Sequence, residues 1–204
     1  MRFIKLLCSA LLIGVVVSAG MVTRADDPST GRAGRAEVRF LQGMIDHHTM
    51  ALDMAGDCLK KAKTDSVLKL CQGVIDAQSA EIKTMRGWLL SWYNIDYTPM
   101  SMLGMADLHG SSSSSGGHGG HNQPATDPAG MMGMMAGLNR LEGREYEVVW
   151  LEAMIDHHDD ALHMSERVLN LAQHTGLKTM AEAIITAQAA EITLMEQMIL
   201  DLSK

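Results

Sequence analysis

Two blocks of this chain repeat at a constant offset of 110 residues with no gap, and this repeat restricts the fold more than any other feature. Residues 44–48 read MIDHH, and residues 154–158 read MIDHH again. Residues 75–82 (IDAQSAEI) match residues 185–192 (ITAQAAEI), Met54 matches Met164, and Met85 matches Met195. A gapless match means each copy is one continuous unit with a fixed internal geometry.

Inside each unit the apolar period is helical. Leu41, Ile45, His48, Leu52, Ala55, Leu59 and Ala62 step by three and four, beside a second stripe of Phe40, Met44, His47, Ala51, Met54 and Cys58. Thr64, Asp65 and Ser66 supply a turn and an N-cap for a second helix. That helix carries Val67, Cys71, Val74, Gln78, Glu81, Met85 and Trp88 on one seam. The second copy repeats the pattern with Leu151, Ile155, His158 and Leu162, then Ile184, Gln188, Glu191 and Met195. Each unit is therefore a helical hairpin, and pairing two hairpins buries both apolar faces. The fold class is all-α, a four-helix bundle.

The organisation predicted is a signal peptide over 1–25, a first hairpin over 26–96, a linker over 97–137 and a second hairpin over 138–204. Arg2 and Lys5 precede the apolar run Leu6–Val17, and small residues follow, as in a secretory signal. Cys8 sits inside that run and is read as part of it. The run is too short for a confident membrane span, so the mature chain is expected to have none. Export to the periplasm or beyond follows. The linker is rich in Gly, Ser, Met, His and Pro and cannot build a core, so it is expected to be a mostly flexible crossover. Its His109, His118 and His121, with methionines that include Met100, Met131 and Met135, read equally well as a labile metal-capture segment or as low-complexity chain.

Charge narrows the partners. Removing Arg2, Lys5 and Arg24 with the leader moves the formal charge from −7 to −10, which excludes nucleic acid as a natural ligand.

The polar residues on the apolar seams carry the functional reading. If the turn midpoint lies between Thr64 and Asp65, His48 is level with Glu81, Met44 with Met85, and Ala51 with Gln78. The second copy places His158 opposite Glu191 and Met154 opposite Met195. His47 and His157 lie about 100° round the helix from their neighbours. One reading is a buried His–Glu hydrogen bond that fixes register, with methionine as packing. The other is a metal site, favoured because both helices contribute and the whole set is duplicated. Imidazole with thioether suits copper, as Cu(I) or Cu(II), and thioether in particular selects Cu(I). Di-iron bundles need Glu-x-x-His, which is absent; Asp160-Ala-Leu-His163 comes nearest. Cys58 and Cys71 are also equidistant from the midpoint, so a disulfide is favoured over two buried thiols or thiolate ligation of copper.

These residues resemble the bacterial family known as domain of unknown function 305, whose hallmark is a Met-Ile-x-His-His helix. The resemblance covers residues 37–94 and 147–204 and extends to the Ala-Gln-x-x-Glu-Ile element. It implies a ferritin-like bundle, commonly exported, with some members similar to periplasmic copper-binding proteins linked to copper tolerance. Carried over, it points to Met44, His47, His48, Met54, Glu81 and Met85 as metal ligands, with Met154, His157, His158, Met164, Glu191 and Met195 in the second copy. Where the family often has Pro after Ile, this chain has Asp46 and Asp156. The function expected is copper sequestration or transfer, with a metal ion and copper-handling envelope proteins as partners and no catalytic residues. A purely structural or interaction bundle and a metal-dependent oxidase are the alternatives.

Overall fold

The structure, a computed structural model, describes residues 27–99 and 128–204. The leader and most of the crossover, with His109, His118 and His121, lie outside the described residues. Helix α1 spans Gly31–Lys61, α2 Asp65–Tyr93, α3 Pro128–Leu138, α4 Gly143–Leu169 and α5 Thr175–Leu202. Helices α1 and α2 form one antiparallel hairpin, and α4 and α5 form the other. Among the described residues no helix is long and apolar enough to cross a membrane.

The hairpin register follows from the seam. Cys58 and Cys71 are joined by a disulfide, and His48 and Glu81 are hydrogen-bonded, each pair symmetric about the turn. Helix α2 stops where Asn94 takes a left-handed conformation (φ 53°) and its N–H closes onto the Leu89 and Leu90 carbonyls. The described ends of the 97–137 stretch belong to the bundle. The Tyr97 hydroxyl donates to Asp46 at 2.5 Å, and Met134 and Met135 of α3 pack against the core.

The hairpins meet mainly through α1 and α4, which run antiparallel across each other. Met54 faces Trp150, whose indole N–H donates to the Met54 carbonyl at 3.0 Å, and Tyr146 donates to Asp57 at 3.1 Å. Towards the other end, a β-carbon built on Gly43 would lie 3.3 Å from the Met164 methyl. Between these contacts the equivalent residues His47 and His157 meet, with ring centroids 3.6 Å apart and planes tilted by 37°. Equivalent positions touch only where a two-fold axis passes, so the two repeats are related by a pseudo-two-fold through this histidine pair. Two apolar clusters flank it. One holds Met54, Cys58, Cys71, Trp150, Met154 and Met195; the other holds Phe40, Met44, Met85, Ala161 and Ile184, with Met164 packed against it.

A reciprocal pair of buried carboxylates locks the hairpins together. Glu147, from the second repeat, accepts from the Lys63 and Thr64 N–H groups at 2.6 and 2.7 Å and from the Thr64 hydroxyl at 2.7 Å. Its equivalent, Glu37, accepts from the Gln173 and His174 N–H groups at 2.5 and 3.1 Å, from His174 Nδ1 at 2.6 Å and from the Tyr93 hydroxyl. Each glutamate thus takes up orphan donors where the other hairpin begins its second helix, and the helix dipole favours an anion there. Thr64 does occupy the N-cap of α2, but its side chain makes no cap bond to its own helix and donates to Glu147 instead. A carboxylate brought by the other repeat outcompetes the local cap, because charge-assisted bonds are stronger. Burial alone would raise the Glu37 pKa, but the bonds from Tyr93, Gln173 and His174 outweigh it and hold the carboxyl at about 2. Burial, with the adjacent Glu37 carboxylate, pushes the Tyr93 hydroxyl well above its ordinary value.

Candidate metal centre

Four histidines fill the middle of the bundle, and none of them has any exposed surface. Each pair sits in mid-helix, where α1 and α4 cross at the His47–His157 contact, so the helix rotation that buries one ring buries its neighbour at the flank of the same seam. His48 Nε2 lies 2.7 Å from Glu81 Oε2, and His158 Nε2 lies 2.7 Å from Glu191 Oε2. The two arrangements are the same to the precision given, as the repeat requires.

The carboxylate decides which nitrogen is free. An ionised Glu accepts only, so Nε2 carries the proton in each pair and Nδ1 of the neutral ring keeps its lone pair. His48 Nδ1 and His158 Nδ1 are buried and have no hydrogen-bond partner. The same holds for both ring nitrogens of His47 and of His157. Buried polar atoms are nearly always paired, so six orphan imidazole nitrogens in one layer call for an explanation. Burial, and then the neighbouring histidines, hold His47 and His157 well below the ordinary imidazole pKa. Both rings are therefore neutral at pH 7 and their lone pairs are available. Gln78 and Gln188, buried on the partner helices, add further unpaired side-chain atoms.

Glu81 and Glu191 are about a quarter exposed. Each meets its histidine from the partner helix of its own hairpin. That is the relation in which a carboxylate orients a ligating imidazole through the opposite ring nitrogen and raises its basicity. Among the described residues no three imidazole, thiol or carboxylate groups converge as a closed metal cage. The imidazoles come in pairs, and thioethers fill the apolar clusters on either side. Met44, Met54, Met85, Met154 and Met195 are all fully buried, while Met164 is partly exposed. Donor chemistry of neutral imidazole and thioether fits copper and fits hard cations poorly.

Met44 and Met85 fall in one apolar cluster, and Met154 and Met195 in the other. The structure sorts Met54 and Met164 differently from the sequence grouping. Met54 falls in the cluster of Met154 and Met195, and Met164 packs against the cluster of Met44 and Met85, because each approaches from the opposite hairpin. Glu37 and Glu147 were missed by reasoning along the seams. Their one sequence signal is that both stand at the same place in the repeat.

The chain matches the family described as Domain of unknown function (DUF305) over residues 37–199, and it belongs to that family. No curated protein matches it. Among solved structures it is similar to CopM in a Cu(II)-bound form, at 26% identity and TM-score 0.61, covering 81% of this chain and 96% of that one. CopM has also been solved in Cu(I)-bound and silver-bound forms. A DUF305 fragment from Deinococcus radiodurans matches at 26% identity and TM-score 0.61, covering 84% and 97%. A DUF305 protein described as a putative secreted protein from Streptomyces coelicolor shares the fold, at 24% identity and TM-score 0.64, covering 82% and 92%.

Proposed function

We propose that this protein is an exported copper-binding protein that sequesters or hands over copper through the central histidines and the methionines beside them. The observation that carries the reading is the layer of six buried, unpartnered imidazole nitrogens, two of them held in ligating tautomer by Glu81 and Glu191. Leaving such atoms unpaired costs about 1–3 kcal/mol each, so a layer of them is maintained for something other than stability. The copper-bound forms of CopM support copper as the metal. The disulfide and the signal-like leader support export, since disulfides persist in oxidising compartments.

The roles divide between ligands and positioning groups. His48 and His158 would offer Nδ1, and His47 and His157 either ring nitrogen, as copper ligands. Glu81 and Glu191 keep the first pair in the right tautomer and are positioning residues on this reading. Bound copper supplies no chemistry beyond being held, and no catalytic residue is assigned.

A structural bundle is the second reading, favoured by the lack of three convergent imidazole, thiol or carboxylate groups among the described residues. Metal analysis of the mature protein after copper exposure separates the two. Copper retained by the wild type and lost when His47, His48, His157 and His158 are replaced by Ala supports the proposal. Equal copper in both proteins contradicts it.

A further inference from the structure

The two ends of the bundle carry equivalent glutamates, but only the Glu37 end has aromatic and imidazole rings around its clasp. Trp92, Tyr93 and His174 have Leu202, Ser203 and Thr64 as their counterparts in the repeat, and Ser29 and Gly34 have Asn139 and Arg144. These five residues meet at one place. The buried His174 ring lies on the Trp92 ring, with centroids 3.8 Å apart and planes 1° from parallel. Its Nδ1 is 2.6 Å from Glu37 Oε2 and 3.2 Å from the Ser29 hydroxyl, and its Nε2 is 3.2 Å from the Asp27 carbonyl oxygen. Ser29 also meets the Tyr93 hydroxyl through its side chain and its backbone N–H.

Residues 27–30 fold back onto α1 to reach these partners. Gly31 takes a left-handed φ of 60°, and a β-carbon built on Gly34 would lie 2.1 Å from the Ser29 carbonyl oxygen. The turn therefore needs glycine at both positions.

The acceptors fix the protonation of the ring. Glu37, its carboxyl held at about 2, is ionised and only accepts, so Nδ1 carries a proton. The Asp27 carbonyl also only accepts, so Nε2 carries one too. A ring with both protons is an imidazolium, and the face of Trp92 suits a cation. Glu37 supplies the opposite charge from α1, and Tyr93 approaches from α2. Asp27 in the segment and Lys178, one turn along α5, are the other charged residues beside it. When the ring loses one proton, Glu37 keeps the proton on Nδ1, and a lone pair on Nε2 then faces the Asp27 carbonyl.

We propose that His174 is a proton-operated latch: as an imidazolium it holds residues 27–30 against the start of α5, and its neutral form releases them while the Glu37 clasp stays closed. The inference is independent of copper, because none of these residues belongs to the histidine layer.

The test follows the metal-free, wild-type mature protein by NMR from about pH 5 to about pH 9. The His174 ring is expected to carry protons on both nitrogens at the acid end and to lose the one on Nε2 as pH rises. At the same midpoint the Ser29 amide is expected to exchange about tenfold faster, beyond the intrinsic rise with pH. The Gln173 and His174 amides, bonded to Glu37, are expected to stay protected. Gly34→Ala pushes the Ser29 carbonyl away, so in that variant Ser29 should exchange fast at both ends of the range with the helices intact. A His174 ring that holds one proton throughout, or both throughout, would overturn the proposal. So would a Ser29 amide whose protection ignores the His174 midpoint, or one that Gly34→Ala leaves as it is in the wild type.

Discussion

The ends of the bundle and its middle treat buried polar groups in opposite ways. At the ends, Glu37 and Glu147 are as buried as any core residue, and each accepts at least three hydrogen bonds. In the middle, four histidines are equally buried, and six of their eight ring nitrogens have no partner. Satisfied buried charge fixes one arrangement of the hairpins; unsatisfied buried lone pairs weaken the fold and keep donors available. The contrast separates buried polar groups that hold the hairpins together from buried polar groups that do not, and the proposed function gives the second kind a ligand.

The largest effect should come from breaking an end. Glu37→Leu leaves the Gln173 and His174 N–H groups, the His174 ring and the Tyr93 hydroxyl without their acceptor. It is expected to lower the unfolding free energy by about 3–5 kcal/mol in urea titrations. Glu147→Leu orphans three donors from a single turn and should cost about 1–3 kcal/mol. Equal losses would show that the Tyr93 and His174 side chains add nothing to the Glu37 clasp.

Acid separates the two regions by pH. The Glu37 pKa is lowered from 4.5 to about 2, so its contribution is present above pH 4.5 and is lost as pH falls towards 2. His47 and His157 stay neutral in the folded protein while the unfolded chain takes up their protons near pH ~6.5. Stability should therefore begin to fall below that pH, well before the glutamate matters. Replacing both histidines by Leu should flatten the first slope and leave the second. Thermal melts across pH 2–8 would check this, and a first slope unchanged in the double variant would refute the assignment.

The smallest effect should come from the middle. His47→Leu with His157→Leu exchanges unpaired polar rings for apolar side chains, and is expected to change stability by no more than about 1 kcal/mol or to increase it. His48→Leu should cost more, because it removes the partner of Glu81.

Much of this was legible along the chain. The repeat, the four long helices and the His48–Glu81 and His158–Glu191 levels follow from helical period and a turn midpoint, which are local rules. The clasps were not legible, because Glu37 and Glu147 bind backbone N–H groups of a distant turn, and backbone donors leave no mark in a sequence. Nor was the contact of the His47 ring with that of His157, which depends on where the pseudo-two-fold cuts α1 and α4. Met54 and Met164 exchanged sets for the same reason. Which hairpin a side chain reaches is a property of how the hairpins dock.

The central claim is that the orphan nitrogens of the middle layer exist to bind copper. It is tested most directly in the protein carrying His47→Leu and His157→Leu, by measuring Cu(II) bound per chain and unfolding free energy on the same sample. The account predicts an intact or strengthened fold with copper binding lost or weakened at least tenfold. Wild-type copper affinity in that protein would contradict it.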